Sequence, residues 1–312
     1  MKLLNAGRLP AALQARLAAA YDLTTLSEQA DRAAFLAAHG ADFVGLATSA
    51  AVGADAALIA ALPSLRMISS FGVGLDKIDV AAAQALGIVV GYTPDVLNDC
   101  VADTAFGLLI DVARGFNAAD RFVRRGEWLK GTFPLGRKVS GARLGLVGMG
   151  RIGRAIAQRS TGFEMDVRYH ARRPVADVPW RHEAQLLELA RWADFLVVIT
   201  AGGAATRHLI NAAVLDALGP EGYLVNVARG SVVDEAALVL ALQQRRIAGA
   251  GLDVFENEPQ VPAALMVLDN VVLLPHVASA THQTRQAMAD RVFDNLHSFF
   301  ATGQPVSAAP AA

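Results

Sequence analysis

Residues 144–153 have the sequence LGLVGMGRIG, and this stretch decides the fold. Its apolar start predicts a buried strand, and the residues after it, 154–159, predict a helix. The three glycines between them match the pattern Gly-x-Gly-x-x-Gly, in which Gly148 permits a tight turn, Gly150 lets a pyrophosphate approach the backbone, and Gly153 lets helix and strand pack closely. The helix N-terminus offers N–H groups and a favourable dipole to phosphates. A glycine triplet alone is weak evidence, but its position between strand and helix predicts a dinucleotide site, whose residues we take to be Gly148, Met149, Gly150, Arg151, Ile152 and Gly153.

Short apolar runs alternate with alanine-rich amphipathic stretches on both sides of this turn, which is typical of parallel sheets with crossover helices. We therefore predict an α/β fold with two doubly wound parallel-sheet domains. In the first domain, strands are expected near residues 2–5, 21–24, 43–47, 66–70 and 88–91. In the second domain, strands are expected at residues 144–147, 166–170, 195–200, 223–227, 250–254 and 271–274.

Three other segments complete the predicted organisation. A long helix is expected from residue 98 to 114, continuing to about 125, and residues 126–141 are expected to form a loose connection. The final helix, residues 283–300, has no strand after it, so we expect it to return to the first domain.

Composition excludes several classes of protein. The chain has 312 residues, of which 54% are hydrophobic, and a formal net charge of -1. This balance argues against nucleic acid as a partner, and no apolar run reaches the ~18 residues of a membrane helix. The apolar part of the first seven residues is too short for a signal peptide. The single cysteine, Cys100, excludes an internal disulfide and a multi-cysteine metal site, so we expect a cytoplasmic protein without a metal.

The end of the strand after the glycine turn indicates which nucleotide binds. An NAD site has Asp or Glu there, about 20 residues after the turn, to bind the ribose diol. Residues 169–174 are instead YHARRP, with no acid and with Arg172 and Arg173 just beyond the strand. Because a guanidinium can bind a 2′-phosphate with two parallel hydrogen bonds, we predict NADP(H) as the cofactor. The alternative is that both arginines only solvate a loop.

Three polar side chains follow predicted strands of the second domain, and ligands of open α/β sheets bind at the carboxyl ends of strands. Arg229 could bind a carboxylate and polarise a neighbouring carbonyl. His276 could deliver a proton, since histidine titrates near neutral pH. A carboxylate beside His276 would orient the ring and favour its protonated form, and Glu258 is the candidate for that carboxylate. Asp253 could accept from the nicotinamide carboxamide. Each residue alone has an ordinary structural explanation, but together they predict reduction of a 2-keto acid.

The same segments resemble the D-isomer-specific 2-hydroxyacid dehydrogenase family over most of the chain. The matching motifs are GMGRIG (148–153), NVARG (226–230), GLDVFENEP (251–259) and PHVASAT (275–281), in family order and spacing. In that family the matching Arg, Glu and His form the catalytic set. The arginine pair and the TAGG turn (200–203) are most similar to the glyoxylate/hydroxypyruvate and 2-ketogluconate reductase branch, which uses NADPH.

The resemblance also implies further features. Residues 71–79 (FGVGLDKID) resemble the family's substrate loop, in which the N–H groups of Val73 and Gly74 would bind the substrate carboxylate; otherwise they form an ordinary strand-to-helix turn. A flavodoxin-like substrate domain would comprise residues 1–98 and 283–312, and a Rossmann domain residues 99–282. A homodimer would form through residues 98–141. The remaining cofactor contacts expected are His170, Thr200, Thr206, Val227 and Ala228.

The sequence therefore favours NADPH-dependent reduction of glyoxylate, hydroxypyruvate or a similar acid to the D-2-hydroxy acid. Other activities of the family stay open, namely those of 2-ketogluconate, hydroxyphenylpyruvate or phosphoglycerate dehydrogenases. A non-enzymatic nucleotide-sensing protein on the same fold is a more remote alternative.

Overall fold

A computed structural model of the chain describes residues 1–311. The chain forms two compact units, one comprising Met1–Leu97 together with the chain from Thr281 onward, and the other comprising Asn98–Ala280. Which unit binds which ligand stays a prediction.

The first unit is built on a parallel sheet which, in the part of the chain described, has five strands in the order β2-β1-β3-β4-β5. This is the strand order of flavodoxin-like folds. Its third and fourth strands in chain order are almost entirely buried because helices cover both faces of the sheet, and they contain no charged residue. The strands are β1 (Lys2–Asn5), β2 (Asp22–Thr25), β3 (Phe43–Ser49), β4 (Met67–Phe71) and β5 (Val89–Gly91).

The helices of this unit include the last helix of the chain, which packs on the sheet. Ser69 Oγ of β4 donates to the Val292 carbonyl at 3.1 Å, and Asn295 Nδ2 donates to the Tyr92 carbonyl at 3.0 Å. These contacts hold the helix against the sheet, although helix and sheet are more than two hundred residues apart in the sequence. The helices are α1 (Ala11–Ala20), α2 (Arg32–His39), α3 (Ala56–Ala60), α4 (Val80–Ala85) and, after the second unit, α12 (His282–Thr302).

The second unit has a parallel sheet of seven strands among residues 98–280, in the order β12-β11-β10-β9-β6-β7-β8. Its first six strands in chain order follow the doubly wound dinucleotide-binding arrangement, with β6 at the point where the strand order reverses. The predicted fold class, two doubly wound parallel sheets, is confirmed. The strands are β6 (Arg143–Val147), β7 (Asp166–His170), β8 (Arg181–His182), β9 (Phe195–Val198), β10 (Tyr223–Asn226), β11 (Gly249–Leu252) and β12 (Val271–Leu273).

Two local features differ from the sequence-based expectation. Strand β8 was not predicted, because it has two polar residues and no apolar run. The single helix expected from residue 98 to about 125 is wrong, because Gly115 adopts a left-handed conformation (φ +63°) and ends it. The Asp111 carboxylate accepts from the Asn117 N–H at 2.9 Å and so stabilises the start of a new helix.

Most helices of the second unit bury apolar side chains against its sheet, whereas residues 116–124 form a helix without a buried residue. The helices of this unit are α5 (Asn98–Arg114), α6 (Phe116–Arg124), α7 (Arg151–Ser160), α8 (Leu186–Trp192), α9 (Ala212–Leu218), α10 (Glu235–Gln243) and α11 (Ala263–Met266). Across residues 1–311, no helix combines the length and the apolar character needed to cross a membrane.

Candidate active site

The glycine turn follows β6 and is held by backbone contacts on both sides. Gly148 has φ +112°, and its N–H donates to the His170 carbonyl at 2.9 Å. A Cβ added to Gly148 would lie 2.7 Å from the Ile199 carbonyl oxygen, and one added to Gly153 would lie 2.4 Å from the Gly148 carbonyl oxygen. Both positions therefore require glycine for packing within the protein.

Gly150 differs, because a Cβ added there would have no heavy atom of the described chain within 4 Å. It stands at the N-terminus of α7, and no side chain of residues 1–311 caps that end. Room for an anion and uncapped N–H groups thus occur together, which is what a dinucleotide pyrophosphate needs. Met149 is buried beneath the turn, Ile152 is half-buried and Arg151 is exposed. The residues present fit the cofactor predicted from the sequence.

The end of β7 lies beside this turn. His170 is half-buried, and its Nδ1 lies 3.0 Å from the Glu183 carbonyl oxygen. Arg172 and Arg173 follow directly and are exposed. Two guanidinium groups are therefore carried next to the glycine turn, on a strand end that lacks a carboxylate.

The loop after β9 borders the turn on its other side. The Thr200 N–H nitrogen would lie 3.0 Å from a Cβ added to Gly148. Thr206 Oγ1 donates to the Ala201 carbonyl at 2.7 Å and folds the loop back on itself. Thr200 lies at the edge of the turn, and contact of either threonine with a cofactor stays a prediction.

Val227 and Ala228 follow β10 and are buried. Their N–H groups donate to the Val198 carbonyl at 3.2 Å and to Asn226 Oδ1 at 3.1 Å. Since these donors are already engaged within the protein, any contact of these two residues with a cofactor would have to use other atoms.

Glu258 and His276 form a hydrogen-bonded pair, with His276 Nδ1 donating to Glu258 Oε2 at 2.7 Å. The other carboxylate oxygen of Glu258 accepts from the Phe255 N–H at 3.1 Å. Burial alone would raise the pKa of the Glu258 carboxyl, but the hydrogen bond and charge of His276, the Phe255 N–H and the charge of Arg229 together hold that pKa below its usual value. Glu258 is thus a stable anion at neutral pH, and it directs His276 Nε2 away from itself.

Arg229 follows β10, which lies next to β11 in the sheet, and β11 is the strand that precedes Glu258. Its Nη1 donates to the Ala228 carbonyl at 2.7 Å, and its own carbonyl accepts from Asn226 Nδ2 at 3.0 Å. Behind it, a Cβ added to Gly230 would lie 1.8 Å from the Phe255 carbonyl carbon, so the loops after β10 and β11 touch through their backbones. The structure therefore brings Arg229, Glu258 and His276 to one edge of one sheet.

Asp253 makes its hydrogen bonds within the protein, and its predicted contact with the nicotinamide stays a prediction. It is buried, with 1% of its surface exposed, and its two carboxylate oxygens accept from the Val277 N–H at 2.7 Å and the Ala278 N–H at 3.0 Å. Its carbonyl accepts from the His276 N–H at 2.8 Å. Burial raises the pKa of the Asp253 carboxyl, although the two N–H donors and the charge of His276 oppose that shift. These contacts hold the turn that carries His276, which has φ +55°.

Val73 and Gly74 lie in the first unit, directly after β4. The preceding residue, Gly72, has φ +145°, and its N–H donates to Thr93 Oγ1 at 3.1 Å. A Cβ added to Gly72 would lie 2.5 Å from the Ala50 side chain, so the start of this loop is closely packed. Binding of a carboxylate by the Val73 and Gly74 N–H groups stays a prediction.

Sequence reasoning missed two residues that support the site. Asn226 is a buried amide at the end of an otherwise apolar strand. Its Nδ2 donates to the Arg229 carbonyl, and its Oδ1 accepts from the Ala228 N–H. Glu256 was given no role in the sequence analysis, but its carboxylate accepts hydrogen bonds from Arg207 and His208. A polar residue closing an apolar strand was the available signal for Asn226. For Glu256 the sequence offered none, because its partners are about fifty positions away.

Known proteins share this fold and these motifs. Residues 106–278 match the model of the D-isomer specific 2-hydroxyacid dehydrogenase NAD-binding domain. A hydroxyphenylpyruvate reductase from Plectranthus scutellarioides is 47% identical over 87% of this chain and 87% of its own. A 2-ketogluconate reductase from Gluconobacter oxydans is 45% identical over 82% of this chain and 83% of its own.

Among solved structures, an NADPH-dependent glyoxylate/hydroxypyruvate reductase from Sinorhizobium meliloti, in complex with NADP and malonate, superposes with a TM-score of 0.92. It is 47% identical, over 99% of this chain and 96% of that one. The present chain belongs to the D-isomer specific 2-hydroxyacid dehydrogenase family and is an oxidoreductase of that family.

Proposed function

We propose that this protein uses NADPH to reduce a small 2-keto acid, such as glyoxylate or hydroxypyruvate, to the D-2-hydroxy acid. The observation that carries the proposal is the 2.7 Å hydrogen bond between Glu258 and His276 next to Arg229, on the sheet that also carries the glycine turn. Similarity to the Sinorhizobium meliloti reductase, whose structure holds NADP, supports both the reaction and the nucleotide.

Each side chain has one task in this mechanism. The bound nicotinamide nucleotide supplies a hydride to the carbonyl carbon. Arg229 binds the substrate carboxylate through its planar guanidinium and polarises the carbonyl. His276 donates its Nε2 proton to the oxygen as negative charge develops there, and Glu258 stabilises the imidazolium and fixes its orientation. In the oxidation direction the same histidine accepts the proton.

The preference for NADPH is supported by the two exposed arginines after β7. Arg172 and Arg173 stand where an NAD enzyme would carry an acid, beside a turn whose helix N-terminus fits phosphates. A 2′-phosphate would gain charge-assisted hydrogen bonds from them, and no carboxylate at the strand end opposes it.

Purified protein with NADPH and a panel of keto acids tests the reaction. Glyoxylate, hydroxypyruvate, 2-ketogluconate and hydroxyphenylpyruvate should be compared, with loss of the reduced nicotinamide absorbance as the signal. We expect turnover with at least one of them, and its loss by about a thousandfold or more in His276→Ala. His39→Ala, on the exposed helix α2, is the matched control. The proposal is wrong if no keto acid is reduced with either nucleotide.

A double variant tests the nucleotide preference separately. Arg172→Asp with Arg173→Ala should lower kcat/KM for NADPH and raise it for NADH, because the new carboxylate can bind a ribose diol and repels a phosphate. The exposed Arg191→Ala on α8 should leave the ratio unchanged. An unaltered ratio in the double variant would show that the arginine pair only solvates its loop.

The length of the acceptor is the open part of this proposal. The relatives are named for substrates as different as hydroxyphenylpyruvate and 2-ketogluconate. The keto-acid panel therefore decides among them, and reduction of the larger acids alone would replace glyoxylate and hydroxypyruvate in the proposal.

We also propose a homodimer in the cytoplasm, with substrate binding in residues 1–98 and 283–312 and nucleotide binding in residues 99–282. The dimer is supported by a run of exposed apolar side chains between residues 116 and 135, and the location by the single cysteine. Sedimentation should give twice the mass of one chain, and Leu129→Asp should reduce it. The exposed apolar residues are Phe116, Val123, Trp128, Leu129 and Leu135.

A further inference from the structure

Glu256 lies two residues before the acid–base glutamate but makes a different set of contacts. Its Oε1 accepts from Arg207 Nη2 at 2.6 Å and lies 3.0 Å from His208 Nε2. Only 18% of its side chain is exposed. A carboxylate that is largely desolvated and shared by two basic side chains forms stronger hydrogen bonds than an exposed surface pair.

Arg207 and His208 end the loop that follows β9, and the beginning of this loop borders the glycine turn. Its first residues, Ile199 and Thr200, contact Gly148, as described above. Its far end is fixed by the backbone, because the His208 N–H donates to the Ser231 carbonyl at 2.9 Å and the Ile210 N–H donates to the Val232 carbonyl at 3.0 Å. The arc between these two fixed ends, residues 200–207, is exposed or half-buried throughout.

Glu256 itself is held firmly on the opposite side. Its N–H donates to Glu235 Oε2 at 3.2 Å, and its backbone nitrogen would lie 2.3 Å from a Cβ added to Gly230. The Glu235 carboxyl has a raised pKa because of burial and also because of the charge of Glu256. Two acids therefore lie close together here, and Arg207 forms an ion pair with one of them, Glu256. Such an arrangement restrains the arc more than a single surface ion pair would.

We propose that Glu256 is a positioning residue for the nucleotide, which holds the arc 200–207 against the glycine turn through Arg207 and His208. The inference rests on the proposed nucleotide site and adds a residue that does not itself touch the nucleotide. Glu258 and His276 form a separate pair, so loss of Glu256 should weaken nucleotide binding and leave the chemical step intact.

Binding of NADPH without keto acid, followed by fluorescence, tests this directly. Glu256→Ala should raise the Kd for NADPH about tenfold, the effect expected for losing charge-assisted hydrogen bonds that order a loop. Glu256→Gln keeps an acceptor oxygen and should raise Kd by a smaller factor, about threefold. At saturating NADPH, kcat and the KM for the keto acid should stay within about twofold of the wild type.

Glu221→Ala is the matched control, because Glu221 also pairs with an arginine, Arg137 at 2.9 Å, but lies just before β10, at the amino end of its strand. Its Kd should equal that of the wild type. Arg207→Ala should reproduce part of the Glu256→Ala effect, and the two changes together should be less than additive. Arg207→Ala and Glu256→Gln keep the test valid should Glu256→Ala fold poorly.

Two results would overturn the inference: a wild-type Kd in Glu256→Ala and Glu256→Gln, or a loss that falls on kcat with Kd unchanged. Failure of the proposed function looks different, since the wild type itself would then reduce no keto acid with either nucleotide.

Discussion

Replacing Asp253 with Asn tests how His276, the proposed proton donor, is held in place. The Asp253 carboxylate accepts one N–H on each oxygen, from Val277 at 2.7 Å and from Ala278 at 3.0 Å. An amide has one acceptor oxygen, so one of these N–H groups would face an NH₂ group instead. The variant therefore loses one of the two side-chain hydrogen bonds that hold the turn carrying His276, while the Asp253 carbonyl still accepts from the His276 N–H.

The expected change in stability is small because two effects oppose each other. Leaving one buried N–H without an acceptor costs about 1–3 kcal/mol. Burial raises the pKa of Asp253, which means that the buried charge destabilises the folded state. Removing this charge therefore offsets part of the cost of the unpaired N–H. We expect a net change in unfolding free energy within about 1 kcal/mol of the wild type. Because the folded-state pKa is raised, the wild type also loses stability as the pH rises from about 4 through that pKa, and the Asn variant lacks this loss.

The expected change in activity is large. Proton transfer depends on where His276 Nε2 lies, and a displacement of about 1 Å can lower the rate by about a hundredfold. We expect kcat/KM for the keto acid to fall about tenfold to a hundredfold, with the Kd for NADPH within twofold of the wild type. Steady-state kinetics, fluorescence titration and urea unfolding at several pH values measure the three quantities.

Asp234→Asn is the matched control. Asp234 caps α10 by accepting from the Ala237 N–H at 3.0 Å, and Asn caps helices about equally well. Its kinetics should be unchanged. Our interpretation of Asp253 is refuted if Asp253→Asn keeps wild-type kcat/KM, or if it raises the Kd for NADPH about tenfold while kcat is unchanged. The second outcome would return Asp253 to the role predicted from the sequence, at the nicotinamide carboxamide.

Three further predictions follow from the same geometry. Because the folded-state pKa of Glu258 is lowered, its contribution to stability is present above about pH 4.3 and disappears as the pH falls through the folded pKa. Glu258→Gln should therefore lower the unfolding free energy at pH 7 but not at low pH. The decrease at pH 7 should be only about 0.5–1 kcal/mol, because both side chains of the pair are more than a third exposed. Equal effects at both pH values would contradict this. Gly150→Ala should fold like the wild type but raise the Kd for NADPH at least about tenfold. Gly153→Ala should instead destabilise the protein by about 1–3 kcal/mol, because the added Cβ would meet a backbone carbonyl. Similar melting curves for the two glycine variants would refute the distinction. Arg229→Lys should raise the KM for the keto acid about tenfold or more, because an ammonium cannot form the two parallel hydrogen bonds of a guanidinium; an unchanged KM would remove Arg229 from carboxylate binding.

The main elements of the fold could be predicted because each is encoded by a short stretch of neighbouring residues. Strands such as β6 and β9 are apolar runs that must be buried on both faces, and the glycine turn carries its own backbone requirements. Strand β8 could not be predicted, since two polar residues form a strand only because β7 provides an edge for them. The break at Gly115 depends on a side-chain cap from Asp111, and an isolated glycine inside a helical pattern does not predict such a cap.

The site could be predicted as a set of strand ends but not as a set of hydrogen bonds. Residues that follow neighbouring parallel strands must meet at one edge, and Arg229, Glu258 and His276 do so. The direction in which a loop side chain points is decided by tertiary contacts. That is why Asp253 turns inward to bind two backbone N–H groups, and why Glu256 finds partners some fifty residues earlier in the chain.

The strand order of the second unit has a consequence for altering this enzyme. The arginine pair follows β7, whereas Glu258 and His276 follow β11 and β12, four and five positions away in the sheet. At about 4.8 Å between neighbouring strands, these groups are separated by roughly 20 Å, well beyond the distance at which substitutions influence each other. In the proposed mechanism, nucleotide choice and proton transfer therefore depend on separate parts of the sheet. Changes that exchange one nucleotide for the other should combine with changes in Glu258 or His276 as simple products of their separate effects.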